Sequence, residues 1–213
     1  MRLLLIRHGE TSANAEGRLQ GHLDVRLSER GRRQSEVLAE RLATLSIDAL
    51  YTSPLLRARE TADIVAARAG VAPVERPALM ERNVGELAGM TRAEIIARYP
   101  RYAPARAEVR RVDVPGFEQD EDFTGRAMRE LNRIIESHAG QTVAAVTHGG
   151  VIFTFCRQTL GLPIVRPGPF AVDNASVTIF DAVDGDAGPF PRPRIQLITL
   201  NDTCHLDGLR SER

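Results

Sequence analysis

The sequence predicts an α/β fold, a three-layer sandwich in which a mostly parallel central sheet carries helices on both faces. Three observations support this. Short apolar runs alternate along the chain with segments of helical periodicity. The runs Leu3-Leu4-Leu5-Ile6 and Val143-Ala144-Ala145-Val146 are continuously apolar, as strands covered on both faces are. Each run ends abruptly in polar residues and a glycine, Arg7-His8-Gly9 and Thr147-His148-Gly149, as when a buried strand delivers its last residues to a surface.

After the first strand, Leu27-Ser28-Glu29 starts a helical pattern with Ser28 as N-cap and Val37, Leu38, Leu42 and Leu45 on one stripe. Ile47 to Tyr51 reads as a second strand. Ser53-Pro54 supplies a cap and a first-turn proline for a helix running to Gly70, where a C-terminal glycine belongs. Thr91 and Glu94 form a capping box for a short helix that stops near Tyr99-Pro100. Beyond irregular chain, a longer helix carries Ala127, Leu131, Ile134, Ile135 and His138 on one face before Gly140. Thr142 to Val146 is the next strand and Gly150 to Leu160 the next helix, with Gly161 after it. Ser176 to Ala182 pairs with Arg194 to Leu200 across a Gly- and Pro-rich loop. No repeat or interdomain linker interrupts the series, so residues 1–213 are expected to form a single domain.

Composition narrows the function classes. The 213 residues are 43% hydrophobic and 26% charged, enough for an ordinary core. The formal charge is zero, which argues against nucleic acid or a membrane surface as partner. No stretch approaches the length of a bilayer span, the apolar start is too short for a secretory leader, and Cys156 and Cys204 form no spacing pattern. A cytoplasmic, reduced protein is expected, with nothing in the sequence specifying a monomer or a homo-oligomer. All 28 basic residues are arginine, so any one arginine is weaker evidence for function than usual.

In parallel sheets ligands bind beyond the carboxyl ends of the strands, and Arg7, His8 and His148 fall there. Glu10, Thr11, Asn14 and Leu19-Gln20-Gly21 follow within a dozen residues, and Thr52-Ser53-Pro54-Leu55-Leu56-Arg57-Ala58 opens the second helix. Together, Arg7-His8-Gly9-Glu10-Thr11, Ser-Pro-x-x-Arg-Ala at Ser53 to Ala58, the Glu81-x-x-x-Gly85-x-x-x-Gly89 spacing and Thr147-His148-Gly149 resemble the histidine phosphatase superfamily, also called the phosphoglycerate-mutase-like family. The resemblance runs from Arg7 to the Leu200-Asn201 and His205-Leu206 end. It implies that His8 becomes a phosphohistidine, and that Asn14 and Gln20 contact phosphate.

The chemistry explains the residue types independently of the name. A phosphate monoester hydrolyses very slowly unaided, and a site accelerates this by surrounding the peripheral oxygens with positive donors while a neutral nucleophile attacks in line. Histidine suits the role, because adjacent Arg7 and Arg57 would hold its ring unprotonated and grip phosphate oxygens with bidentate forks. Arg57 sits in the first turn of a helix whose N-terminus favours anions. His148 and Gly149 face the same crevice, His148 as an oxygen ligand. A proton donor for the leaving oxygen must then deprotonate the attacking water. The resemblance gives that role to Glu81; on the residues alone it could equally be an exposed carboxylate, and Glu10 and Asp24 compete. His22, His138 and His205 are read as structural or surface groups. No pair of histidines or carboxylates has metal-ligand spacing around a third ligand, so neither metal nor cofactor is expected.

The expected function is metal-independent hydrolysis of a small phosphorylated metabolite. The alternative is a phosphoglycerate mutase using 2,3-bisphosphoglycerate. A less favoured one is a non-catalytic phosphoester-binding module, against which the intact His8 and Glu81 argue. The resemblance makes Glu-Arg-x-Tyr-Gly-x-Leu-x-Gly the usual mutase pattern. Here Arg82, Leu87 and Gly89 agree, while Val84 replaces the tyrosine. Arg92 lies where mutases place a lysine, and Arg110-Arg111 matches their paired arginines. The chain from Gly89 to His148 is shorter than in the long mutases and would exclude water less well, which favours the phosphatase. Residues 82–122 are expected to cover the substrate, with Arg82 among the binding residues.

Overall fold

The computed structural model describes residues 1–100, 113–163, 169–183 and 194–210. Its sheet has six strands: β1 (Arg2–Arg7), β2 (Ala49–Thr52), β3 (Pro73–Glu75), β4 (Thr142–Thr147), β5 (Val177–Val183) and β6 (Arg194–Asp202), in the order β3-β2-β4-β1-β5-β6. β1, β2, β3 and β4 run parallel to one another, and β5 pairs antiparallel with both β1 and β6. The helices are α1 (Ser12–Ala15), α2 (Glu29–Leu42), α3 (Leu56–Ala69), α4 (Arg92–Arg98), α5 (Asp120–Ser137), α6 (Gly149–Thr159) and α7 (Asp207–Arg210).

The apolar run of β1 divides between the two faces because successive strand residues point opposite ways. Leu3 and Leu5 pack with Phe123, Ala127 and Leu131 of α5 and Val151, Ile152 and Phe155 of α6. Leu4 and Ile6 pack with Leu38 and Leu42 of α2 and Ala58, Ala62 and Val65 of α3. Burying one such aliphatic side chain stabilises the fold by about 1.5–3 kcal/mol, so two helical layers on one central strand account for the three-layer arrangement. A small satellite cluster of Val84, Leu87 and Val114 forms separately, packed by Ile95, Tyr99 and Phe117.

Most expected elements form close to their expected limits, and the exceptions have physical reasons. Ser28 caps α2 by accepting the Gly31 N–H, and the Thr91–Glu94 capping box opens α4. Leu45 lies beyond the end of α2 and is exposed, so it is not part of the core stripe. His138 terminates α5 instead of joining its buried face, and its ring bonds the Tyr51 hydroxyl and the Gln141 side chain. Ser53-Pro54 does not begin α3: the helix starts at Leu56, and its first N–H is taken by Asp24 Oδ1 at 2.7 Å. The β5–β6 pairing forms as expected, while most of the Gly- and Pro-rich loop between them, and Arg110 and Arg111, lie outside the described residues.

Candidate active site

Three neighbouring parallel strands end side by side. Arg7 of β1 is in register with Thr147 of β4, and Val146 of β4 with Thr52 of β2. The residues just beyond them, His8, His148 and Ser53, therefore converge, tied by His8 N–H to Thr147 O and Ser53 N–H to Val146 O, each at 3.0 Å. The His8 and His148 ring centroids are 5.1 Å apart, and both residues are buried. Ser53 Oγ lies 2.8 Å from His148 Nε2 and accepts the Leu55 N–H, which is how this serine is used instead of capping α3.

Hydrogen bonding sets the His8 ring. Nδ1 donates to the Gly9 carbonyl at 2.7 Å, which leaves Nε2 with its lone pair. Arg57 Nε donates to that lone pair at 3.2 Å. The rest of the Arg57 guanidinium is anchored on the carbonyls of Leu23 and Gly21, and the side chain is almost wholly buried. Burial, then the charges of Arg57 and Arg7, hold the His8 pKa well below the usual histidine value. His148 is lowered likewise, first by burial and then chiefly by Arg57. Burial also lowers Arg7, and Arg57 to about 10, which leaves the latter charged at neutral pH.

A cavity of about 560 Å³ opens over these groups. Arg7, His8, Asn14, Gln20, Arg57, Glu81, Arg82 and Gly149 all line it. His148, also assigned to the site from sequence, lies outside this lining, buried beside His8. Three buried polar atoms there have no partner: Arg7 Nε, Gln20 Oε1 and His148 Nδ1. Leaving such groups unpaired costs about 1–3 kcal/mol each, a cost that a polar ligand would offset.

Glu81 lines the same cavity as His8. Its two carboxylate oxygens accept the N–H groups of Arg82 at 2.8 Å and Gly150 at 3.0 Å. The rivals point elsewhere. Glu10 bonds Ser28 and Arg30 on the wall of a separate polar cavity, and Asp24 caps α3. Gly150 is required by close approach, since a Cβ there would stand 2.2 Å from Glu81 Oε1. Gly85, four residues after Glu81, has φ 54° and no room for a Cβ, which would meet Pro115 O at 2.1 Å.

Several supporting residues were given no site role from sequence; His22, read there as structural or surface, is structural. The Glu81 carbonyl accepts from His22 Nε2 at 2.7 Å and Arg126 at 2.9 Å, and Arg126 also holds the carbonyls of Ala78 and Met80. Thr147 Oγ1 donates to Leu79 O, tying the same turn to β4. Asn174 Nδ2 binds the carbonyls of His8 and Gly9 and Asn14 Oδ1. Asn14 also closes a capping box with Thr11 on the one-turn helix α1. Arg82 is paired with Asp120 at 2.6 Å, and Arg92 is exposed and does not line the cavity. Among the described residues, no group of three His, Cys, Asp or Glu side chains is placed to hold a metal ion, and no helix is long and apolar enough to cross a membrane.

Comparison with known proteins gives the site a context. Residues 3–188 match the model of the histidine phosphatase superfamily (branch 1). Phosphoglycerate mutase-like protein 4 of Arabidopsis thaliana is 39% identical, over 86% of this chain and 80% of its own length. Phosphoserine phosphatase 1 of Hydrogenobacter thermophilus is 30% identical, over 97% of this chain and 94% of its own. A solved structure of mycobacterial glucosyl-3-phosphoglycerate phosphatase in complex with VO3 superposes with a TM-score of 0.82 at 30% identity, covering 94% of this chain and 98% of that one.

Proposed function

The chain belongs to the histidine phosphatase superfamily (branch 1), and from that membership we propose that His8 carries a phosphoryl group between a small phosphate monoester and water. The activity class is phosphate monoester hydrolysis of the histidine type. One observation carries the reading of the residues: a neutral ring whose Nδ1 is tied to a carbonyl turns its Nε2, here accepting from Arg57 Nε, to the cavity floor beside buried Arg57 and half-buried Arg7. In the first step Nε2 attacks phosphorus in line, the P–O bond to the alcohol breaks, and the leaving oxygen takes a proton from Glu81. In the second, Glu81 takes a proton from water as the water oxygen attacks phosphorus, the N–P bond breaks, and inorganic phosphate leaves with His8 neutral again. Arg7 and Arg57 grip the equatorial oxygens, with His148, Asn14, Gln20 and Gly149 at the start of α6 completing the cradle.

No metal or cofactor enters these steps. Of the stretch 82–122, the described residues Arg82, Val84, Leu87, Ile95, Phe117 and Asp120 line the cavity, which supports a covering role for them, and a small phosphorylated metabolite is the partner. The mutase alternative is supported less well: Arg82 is spent on Asp120, and Arg92 stands away from the cavity. The test is rapid mixing with radiolabelled phosphate ester followed by an alkaline quench. Acid-labile label on His8, absent in His8→Ala, is expected, and label on another residue would sink the reading. With 3-phosphoglycerate and 2,3-bisphosphoglycerate supplied together, release of inorganic phosphate is expected. Formation of 2-phosphoglycerate in its place would move the chain to the mutases.

A further inference from the structure

Above the phosphate-binding floor the cavity is walled largely by apolar side chains, among them Leu87, Ile95, Phe117, Phe123 and Phe153. Five arginines line it, and four are engaged. Arg7 and Arg57 lie at the floor, bonded to backbone carbonyls and, for Arg57, to His8. Arg18 is paired with Glu16 at 2.8 Å and Glu94 at 3.1 Å. Arg82 is paired with Asp120 and lies 4.4 Å from the Phe123 ring centroid. The fifth, Arg157, has no hydrogen bond, ion pair or ring contact from its side chain among the described residues.

Its position on α6 gives the free cation a direction. Gly149, Gly150, Phe153, Thr154 and Arg157 recur at the spacing of one helix face, and all five line the cavity. The helix begins at the phosphate floor, and at 1.5 Å rise per residue the Arg157 backbone stands about 12 Å further along. Long helical side chains lean back toward the N-terminus, which brings the guanidinium to roughly 6–12 Å from the phosphoryl position. An unpaired guanidinium on a solvent-facing helix would be ordinary in a chain whose cations are all arginine. This one stands one turn from Phe153 on an apolar wall, where a carboxylate would meet it in a lower effective dielectric than water.

We propose that Arg157 is a specificity-determining residue that receives an anionic group, a carboxylate or its equivalent, on the alcohol half of the substrate. The inference rests on the phosphatase reading of this cavity. It commits the substrate to a phosphate monoester whose second negative charge is separated from the phosphate by an apolar span, with Arg7 and Arg57 at one end and Arg157 at the other.

Binding tests this without turnover. The probes are ω-phosphonoalkanoates of increasing chain length and their carboxyl methyl esters, which keep the phosphonate and lose only the distal charge. Calorimetric titration of the wild type is expected to favour the acid over its ester by about tenfold at the chain length that spans the two ends. Arg157→Gln should bring that ratio to about one, and Arg157→Lys should retain part of it. A wild-type ratio near one at every length, or a preference that survives Arg157→Gln, overturns the assignment. Turnover of 4-nitrophenyl phosphate is the separate readout of the phosphatase reading: its absence would sink that reading, while the acid-to-ester ratio would still decide Arg157.

Discussion

Replacing Gly150 with alanine should damage proton transfer while sparing the fold. The new Cβ would lie 2.2 Å from Glu81 Oε1, 3.0 Å from Cδ and 3.2 Å from Oε2, where ordinary contact begins at 3.4 Å. The carboxylate is the end of a flexible side chain, so it can give way by about 1 Å, losing the Gly150 N–H at 3.0 Å. A displacement of that size costs on the order of 100-fold in rate when the displaced group transfers a proton, or about 2.7 kcal/mol of barrier. The backbone effect has the opposite sign, because alanine in a helix is up to about 1 kcal/mol better than glycine. Set against the lost N–H bond to a charged acceptor, about 1.5–3 kcal/mol, this leaves Gly150→Ala melting at most a few degrees below the wild type while losing activity selectively. The assay is the pre-steady-state burst of His8 phosphorylation with an alkyl phosphate and with 4-nitrophenyl phosphate, whose leaving group departs without a proton. About 100-fold loss for the alkyl ester and under about tenfold for the nitrophenyl ester is expected. Equal losses for both would show that Glu81 does not protonate the leaving oxygen and would return Glu10 to consideration.

Two further outcomes follow from the same geometry. The buried rings of His8 and His148 resist protonation in the folded chain, whereas in the unfolded chain they titrate near 6.5. Their contribution to stability is complete above that value and is lost as pH falls below it. The free energy of unfolding should drop by up to about 2.7 kcal/mol per pH unit between about pH 6 and pH 5, with His205 adding in the same direction, and His8→Gln should show a shallower slope. Urea unfolding at graded pH measures this, and a flat profile across that range would contradict the neutral assignment of the rings. If Arg7, Arg57 and His148 supply the positive and donor groups as proposed, activity should also persist in chelator and be blocked by vanadate; activity lost in chelator and restored by zinc or magnesium would contradict this.

What the sequence made legible was local. The continuous apolar runs of β1 and β4 announce strands buried on both faces, and the histidines at their ends are brought together by register alone, Arg7 against Thr147. Ser28 and the Thr91–Glu94 box satisfy helix ends within three residues, so they could be read from spacing. β3 could not: it is three residues at the sheet edge, opened by a proline, with no periodicity to detect. α1 is a single turn, so the Thr11–Asn14 box was invisible as a helix start and Asn14 was noticed only through resemblance.

The misreading of Ser53 shows where local reasoning stops. As a polar residue before a proline and a helical segment it has the pattern of an N-cap, yet its oxygen lies 2.8 Å from a histidine 95 positions away, and the helix start is satisfied by Asp24, 32 positions away. The same holds for the groups that place Glu81. His22 and Arg126 reach its carbonyl from 59 and 45 positions off, and Asn174 grips the His8 loop across 166. None of these residues has a neighbour in sequence that betrays its task. Their roles exist only once parallel crossovers have stacked three strand ends together, whereas Arg7, His8 and His148 were readable because the strand ends themselves carry them. The residues that hold Glu81 in place are therefore a property of topology, and it is there, in Gly150 and Arg126, that substitutions should change proton transfer without touching the proposed phosphate site.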